Sequence, residues 1–532
     1  MTLARWFLTG VERGNPQTGL DRRRPDGLAW STGNEVRPLV HGRTYFAELL
    51  AGIRAARAGD LVLFTDWRGD PDERLAGPGT EVSRVLCEAA ERGVLVKGLI
   101  WRSHLDRLYF SAAENRHLDE EIEGSGGEVM RDMRVRVGGS HHQKIVVLRY
   151  PGRPDLDVAY VGGIDLCHGR NDDAEHLGDP QSIRMSPRYG DRPPWHDIQL
   201  AIRGPAVGDP DPPRRGTHAV QVLRTYPYRR PGYPFAPRGE RSVARGYAKA
   251  LRRAERLIYL EDQYLWSAQV ADSFATALRE HPELRLIAVV PLYPDQPGSL
   301  ADANQIVGRG QALDTVYRAG GDRVAVYSLE NHAGTPVYVH AKVCVVDDTW
   351  MAVGSDNFNV RSWTHDSELS CAVLDEATSG GGDPAGAAEY AGDPAGEAGA
   401  ADHGGDPAGE AGAADHGGDP AGEAGAADHG GDPAGLPRSL RLALAREHLD
   451  RSTGDDADLV DAEECWTSFA KAADELEAWY AGGRVGSRPP GRLRRYRPPP
   501  APGPARTAAT VLYPVFFDPD GRPPALRRRH AF

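Results

Sequence analysis

Apolar positions along the chain recur at two spacings. In Thr44–Ala58, Glu81–Arg92, Ser242–Arg256, Ala271–Glu280 and Ala301–Ala319 they fall at helical intervals, the mark of helices with one buried face. Short runs rich in Val, Ile and Leu occupy Leu61–Asp66, Val94–Trp101, His142–Leu148 and Val158–Gly162 in the first half. In the second half they occupy Leu257–Gln263, Leu284–Pro291, Val324–Leu329, His340–Val346 and Trp350–Gly354. Such runs predict strands covered on both faces. Helices and strands alternate, and the order in the first half returns in the second. The expected fold class is α/β, built from a duplicated α/β lobe.

The pattern breaks after residue 376. From Gly392 the unit GDPAGEAGAADHG occurs three times, starting at 392, 405 and 418, with a fragment at 431. It offers almost no large apolar side chain and cannot bury a core, so a long acidic, disordered insert is expected over 377–435. Its histidines, His403, His416 and His429, are read as part of a solvated repeat. Amphipathic helices are predicted beyond it at Ser439–Leu449 and Trp466–Trp479. The Pro- and Arg-rich stretch 484–506 reads as extended, part of a solvated tail spanning 483–532. The expected division is a first lobe over 1–215 and a second over 216–376 plus 436–482.

Composition narrows the function classes. The 532 residues carry a formal charge of −13, but eight Asp and four Glu without a single Lys or Arg lie between 381 and 435. The remainder is near neutral, so a basic nucleic-acid surface is not expected. No apolar run reaches membrane-spanning length, and the N-terminus does not read as a signal peptide. The chain is therefore expected to be cytoplasmic or peripheral at a membrane. The five cysteines are scattered and read as buried thiols. Neither they nor the histidine spacings suggest a metal site, and no cofactor is expected.

Lys and Arg together number 63, yet only five are lysines: Lys97, Lys144, Lys249, Lys342 and Lys471. Lys144 and Lys342 each follow a histidine by two positions, and each pair opens an apolar strand. Residues i and i+2 of a strand share a face. His142 and Lys144 are thus expected to project together, and so are His340 and Lys342. His141 is expected to face the other way as a structural residue. Trp67, Trp101, Tyr264 and Trp363 could line a pocket but are read as core.

With these residues the chain resembles the phospholipase D superfamily and its duplicated H-x-K-x4-D motif. The second copy is complete: His340, Lys342, Asp347, then Gly354-Ser355, Asn357 and Ser367-Glu368. The first departs, because Arg149 stands where the aspartate belongs. Reading 149–154 as a hairpin insertion makes Asp155 the matching aspartate, with Asp157 as the competing choice. Asp165, in Gly162-Gly-Ile-Asp-Leu166, holds the position of Asn357. That variant resembles the eukaryotic-type phospholipases D, as do Trp195-His-Asp197, Gly204-Pro-Ala-Val207, Ile258–Tyr264 and Leu440–Leu449. The resemblance covers roughly 35–376 and 436–480, and no lipid-binding module is expected ahead of it.

The resemblance implies two α/β lobes related by a pseudo-twofold axis, each with a mixed, largely parallel sheet flanked by helices, and the site between them. It implies His142 as nucleophile and His340 as acid–base; the residues alone leave that order open. Lys144 and Lys342 would offset phosphate charge as compact cations, and Asn357 would donate to a phosphoryl oxygen. Orienting carboxylates are expected on the imidazole Nδ1 atoms, with Glu368 and Asp172 as candidates. Asp172 could equally cap a loop, and Asp347 and Asp155 are read as structural hydrogen-bonders near the strands. His196-Asp197 is set aside as a dyad because neighbours on a strand diverge.

The leading expectation is hydrolysis of a glycerophospholipid such as phosphatidylcholine at a membrane surface, to phosphatidic acid and the head-group alcohol. Water or an alcohol would be the acceptor, so transphosphatidylation should accompany it, and the protein is expected to be a monomer. A cardiolipin synthase-like phosphatidyltransferase or a nuclease on the same scaffold is the first alternative. A non-enzymatic membrane or partner scaffold is the second.

Overall fold

A computed structural model describes residues 3–24, 26–104, 112–265, 267–295, 299–377, 435–498, 512–529 and 531–532, without the side chains of 299–306 and 516. The acidic repeat lies outside the described residues.

The first lobe is built from β1 (Ser31–Val40), β2 (Leu61–Asp66), β3 (Leu95–Trp101), β4 (Glu128–Asp132), β5 (Ile145–Arg149), β6 (Val158–Gly162), the two-residue β7 (Trp195–His196) and β8 (Ile198–Arg203). The second uses β9 (His218–Tyr226), the short β10 (Glu240–Arg241), β11 (Leu257–Asp262), β12 (Arg285–Val289), β13 (Val324–Glu330), β14 (Pro336–Val339), β15 (Lys342–Val346), β16 (Trp350–Gly354), β17 (Glu368–Asp375) and β18 (Leu493–Arg495). The first sheet runs β4–β3–β2–β5–β6–β8–β1. The second runs β13–β12–β11–β15–β16–β17–β9. The two orders match strand for strand, which is the expected duplication.

The sheets are mixed, but antiparallel pairings outnumber parallel ones, a correction to the largely parallel expectation. Within each sheet the parallel pairs are strands linked through a helix, β2–β3–β4 and β11–β12–β13, and the short β7 and β14 pair in parallel across the lobes. β5–β6 and β15–β16 are joined by short turns, and a short turn forces the next strand to run backwards.

Helices Gly42–Ala55, Val82–Glu91 and Ala112–Gly124 cover the first sheet. Ser242–Leu251, Ala268–Glu280 and Ser299–Gly320 cover the second. A further core joins the sheets to each other: Val36, Val161 and Leu200 of the first pack with Val343, Val353 and Cys371 of the second. Strands buried on both sides explain the unbroken apolar runs of β15, β16 and β6. Helices Leu436–His448 and Ala462–Ala481 close this core. Among the described residues, no helix is long and apolar enough to cross a membrane.

Two boundaries differ from expectation. The N-terminal segment belongs to the second lobe, since Trp6, Phe7 and Leu8 are buried against Val243 and Tyr247. Lys249 Nζ also donates to the carbonyls of Ala4 and Phe7. The Arg-rich tail is not free in solvent. β18 adds antiparallel to β13, and Glu330 takes the guanidinium groups of Arg488 and Arg494. Farther on, Asp518 accepts from the Arg361 amide at 2.7 Å, and Phe532 packs edge-on to Trp363. Arginine forks find carboxylate partners that a sequence scan does not pair.

Candidate active site

β5 and β15 run to the lobe interface, and the segments leading into them carry the two histidines. His142 and Lys144 lie just ahead of β5, while Lys342 opens β15. Both leading segments stay extended because each is hydrogen-bonded to the opposite lobe. The His142 amide donates to Ser367 O at 2.9 Å, and the His340 amide donates to His196 O at 2.8 Å. The i, i+2 geometry therefore holds outside the regular ladder, and each lysine Nζ donates to the carbonyl of its own histidine.

The residue after each of those acceptors is a carboxylate, and it grips the imidazole brought in. Glu368 lies 3.0 Å from His142 Nδ1 through both oxygens. Asp197 Oδ2 lies 2.6 Å from His340 Nδ1. Asp197 immediately precedes β8 and Glu368 opens β17, equivalent strands of the two sheets. Each histidine is thus oriented by a carboxylate of the other lobe. Ser355 Oγ in turn donates to Glu368 at 2.5 Å.

The two motifs act on each other electrostatically. Burial, followed by the charges of Lys144 and Lys342, holds the His142 imidazole well below its usual range. Burial, followed by Lys342 and Arg170, with a contribution from Lys144, does the same to His340. Burial, set against Asp197 and reinforced by Lys144, draws Lys342 down to about 8. Burial lifts Glu368 to about 8. The resting site therefore offers two neutral imidazoles between two ammonium groups.

Asp165, at the place of Asn357, behaves differently from an amide. It sits 3.3 Å from Lys144 Nζ and 3.6 Å from Arg170. Burial opposes its ionisation, yet these cations hold its carboxylate below the usual range. Its buried neighbour Asp66 is pushed well above that range by burial and by the charge of Asp165. Asp66 also accepts from the Leu166 amide at 2.9 Å, and its counterpart Asp262 accepts from the Phe358 amide at 3.2 Å. These aspartates end β2 and β11 and fix the loops that carry Asp165 and Asn357. Asn357 is itself buried, and its Oδ1 has no hydrogen-bond partner.

Three expected site residues lie elsewhere. Asp155 is exposed on a short 3-10 turn, whereas Asp157 is buried, binding Arg149 Nε and the Tyr150 amide. The competing choice thus makes the strand-end contacts, because the insertion is a residue pair longer than the spacing implied. Asp172 is a loop cap, accepting from the amides of Gly178 at 3.1 Å and Trp195 at 2.8 Å. Asp347 accepts from the amides of Glu255, Arg256 and Leu257 at 2.8–2.9 Å and so anchors the start of β11.

Among the aromatic candidates, Trp67 stands over His142 at 6.2 Å and stacks on Trp101. Trp363 lies in the core against Tyr247. Tyr264 is half-buried beside Asp262, which accepts from its amide at 2.8 Å. Trp195 packs on His340 at 4.8 Å and carries the Arg170 guanidinium on its ring at 3.9 Å. His141 faces away from the site and contacts Asp132 at 3.2 Å.

The family model described as Phospholipase D matches residues 72–211, and that described as Cardiolipin synthase, PLD-like domain, matches 247–380. Phospholipase D alpha 1 of Cynara cardunculus is 23% identical over 451 residues, covering 57% of this chain and 56% of that protein. Phospholipase D1 of Saccharomyces cerevisiae is 24% identical over 468 residues, covering 65% of this chain and 27% of that one. The chain thus spans about half the length, or less, of these curated relatives. Among solved structures, phosphatidylserine synthase of Haemophilus influenzae superposes with a TM-score of 0.45 at 15% identity, covering 64% of this chain and 82% of that one.

Proposed function

Because this chain belongs to the phospholipase D superfamily, we propose that it cleaves the head-group phosphodiester of a glycerophospholipid by way of a phosphohistidine, releasing phosphatidic acid. The observation that carries this reading is the crossed pair of imidazole–carboxylate contacts, His142 with Glu368 and His340 with Asp197. A carboxylate on Nδ1 fixes the tautomer and leaves Nε2 free for chemistry.

His142 Nε2, neutral at rest, attacks phosphorus. The bond from phosphorus to the head-group oxygen breaks, and His340 Nε2–H supplies the proton that the leaving alkoxide takes. In the free protein His340 is kept neutral by burial and by the Lys342 and Arg170 charges. A phosphate anion between Lys144 and Lys342 cancels those fields, so substrate binding itself raises the basicity of His340 and loads the proton. Water then attacks the phosphohistidine while His340 takes its proton, and the phosphorus–nitrogen bond breaks. The lysines and Asn357 stabilise charge on the non-bridging oxygens in both steps.

An alcohol can replace water in the second step. The match of residues 247–380 to a model described for cardiolipin synthase favours net phosphatidyl transfer as a second reading. One experiment addresses both. Purified protein is given phosphatidylcholine in mixed micelles, with and without ethanol. The expected products are phosphatidic acid alone, and phosphatidic acid plus phosphatidylethanol when ethanol is present. Product formation that persists in His142→Asn or His340→Asn would overturn the assignment. Cleavage of DNA without cleavage of lipid would overturn the substrate class.

A further inference from the structure

Directly behind the His340 side of the site lies a second group of buried imidazoles that the proposed chemistry does not use. His41, His176 and His196 come from the first lobe, and Glu447 from helix Leu436–His448 beyond the insert. One ligand-type atom from each of the four lies within 4.8 Å of the other three. We propose that these residues form a closed binding site for a divalent transition-metal ion, with zinc the best chemical match.

The geometry supports a shared centre. The three rings surround a common point, with His41 at 4.9 Å and 89° to His176 and at 5.1 Å and 72° to His196. Glu447 Oε1 stands 3.1 Å from His176 Nε2 and 3.4 Å from His196 Nδ1. A tetrahedral ion with ligands at about 2.0–2.1 Å places its ligand atoms roughly 3.3 Å apart, which those two separations bracket. Glu447 Oε2 also lies 2.8 Å from His41 Nε2.

Hydrogen bonding alone leaves the cluster incomplete. His196 is fully buried, and its Nδ1 faces only Glu447 Oε1, at 3.4 Å and without hydrogen-bond alignment. For two of the three histidines the opposite nitrogens carry the outer contacts that metal-bound histidines make, whereas His41 Nδ1 makes no hydrogen bond. His196 Nε2 lies 2.7 Å from Glu261, and His176 Nδ1 lies 3.2 Å from Trp195 O. Glu261 is already held by His196, His448 and Tyr259, so Glu447 is the carboxylate that faces all three imidazoles, and a cation among them offsets its charge. His41 and His176 hold left-handed backbone angles, φ +68° and +54°, strain that non-glycine residues keep where function over-determines it. Imidazole-rich sets of this kind suit zinc among the common divalent ions.

The ion would tie the helix after the insert to the first lobe. It would also brace Asp197, whose carbonyl accepts from the His41 amide at 2.9 Å. Spacing in the sequence could not show the set, because its members lie between positions 41 and 447.

The full chain, purified without a histidine tag and dialysed, is analysed for metals by mass spectrometry. Expected is about one zinc per chain in the wild type and less than roughly a tenth of that in Glu447→Gln, since ligand loss abolishes a closed site. His332→Ala, at an exposed histidine outside the cluster, retains the metal. Chelation lowers the melting temperature of the wild type and leaves that of Glu447→Gln unchanged. If Glu447→Gln does not fold, His41→Gln takes its place. The cobalt-substituted wild type is then expected to show the strong visible bands of tetrahedral coordination. The proposal is overturned by a folded wild type that holds no zinc after incubation with the ion. It is equally overturned by stoichiometric zinc that survives both substitutions, or by cobalt bound with only weak octahedral bands.

Discussion

Asp197 of the first lobe holds His340 of the second: its Oδ2 lies 2.6 Å from the imidazole Nδ1, and both side chains are buried. Glu368 reciprocates at 3.0 Å from His142. Neither lobe completes a site alone, because each supplies the other's orienting carboxylate. The duplication therefore sets each imidazole on one lobe and its partner carboxylate on the other, and the interface between them is where the proposed chemistry would take place.

The Asp197 contact gives the sharpest test. Asp197→Asn keeps the shape of the side chain but can turn the imidazole into the wrong tautomer. By analogy with triad aspartates, kcat is expected to fall about 10²–10⁴-fold with the melting temperature nearly unchanged. Asp155→Asn, on the exposed turn, should stay within about twofold of wild type, as surface changes do. Equal effects of the two substitutions would contradict the assigned roles.

This contrast also marks what can be read from the chain. His142, Lys144, His340 and Lys342 are legible because a period-two spacing at the head of an apolar strand reports side-chain direction directly. Glu368 is legible because β16 returns to β17 through 13 residues, including the short helix Val360–Thr364, which keeps it 28 positions after His340. Asp197 is not, because 32 residues separate β6 from β7 and displace it to 55 positions after His142. His196 and Asp197 do diverge, and divergence is what lets them serve two sites. β1, β9 and β17 are hidden in the sequence because polar residues interrupt them where they meet at the lobe interface. Asn34, Gln221 and Thr225 are buried there at no more than 1% exposure.

The pH profile should follow Lys342. On the proposed function its ammonium holds phosphate, and in the free protein burial draws it down to about 8. The ratio kcat/KM reports the free enzyme, in which His340, the proton donor, is depressed well below 6.5. The ratio is therefore expected to decline already below pH 8 and to fall more steeply as pH rises through 8, where Lys342 discharges. His142 is depressed well below its ordinary 6.5, so the acid limb lies below that value. Lys342→Arg should lose most activity, since a fork does not replace a compact cation. Whatever rate remains should no longer steepen its decline near pH 8, because guanidinium stays charged. A limb that persists there would assign the titration to another group.

Glu368 makes a separate claim about stability. Its folded-state value of about 8 lies above the ordinary 4.5, so the free protein favours the protonated acid, whose unprotonated oxygen still accepts from His142 Nδ1–H. That contribution is fully present below pH 4.5 and is lost as pH rises through 8. Chemical denaturation of the wild type should show stability declining over this window by on the order of a few kcal/mol. Glu368→Gln should flatten the decline while impairing catalysis. An unchanged slope in the variant would place the titrating group elsewhere.

Asp347 should matter for folding rather than chemistry. Three amides at the head of β11 depend on it, and its own φ is +50°. Asp347→Ala removes the acceptor and puts alanine in a left-handed conformation, so a loss of about 2–4 kcal/mol is expected. Asn tolerates that conformation and keeps one acceptor oxygen, so Asp347→Asn should cost less. At low temperature, folded Asp347→Ala should retain kcat within about threefold, as a change outside the reacting groups allows. A kcat loss comparable to that of Asp197→Asn would move Asp347 into the catalytic set.

The acidic repeat can be tested through the way its flanks meet. Asp375, at the end of β17, accepts from the Leu436 amide at 2.9 Å, so the described chain on either side of 378–434 is already joined. Replacing 378–434 by a short Gly/Ser linker should therefore leave the fold intact. Loop-closure entropy changes by only about 0.6 kcal/mol per doubling of loop length, and shortening acts in the stabilising direction. The same replacement removes eight Asp and four Glu, taking the formal charge from −13 to −1. Repulsion from an anionic surface weakens accordingly and is screened beyond about 10 Å at 0.1 M salt. The shortened protein is expected to keep wild-type kcat on neutral micelles. On vesicles containing phosphatidylglycerol it should turn over faster than wild type at low salt, and the difference should vanish at about 0.5 M salt. Equal rates at low salt would show that the repeat does not govern approach to charged membranes, and loss of folded protein would show that it supports the second lobe.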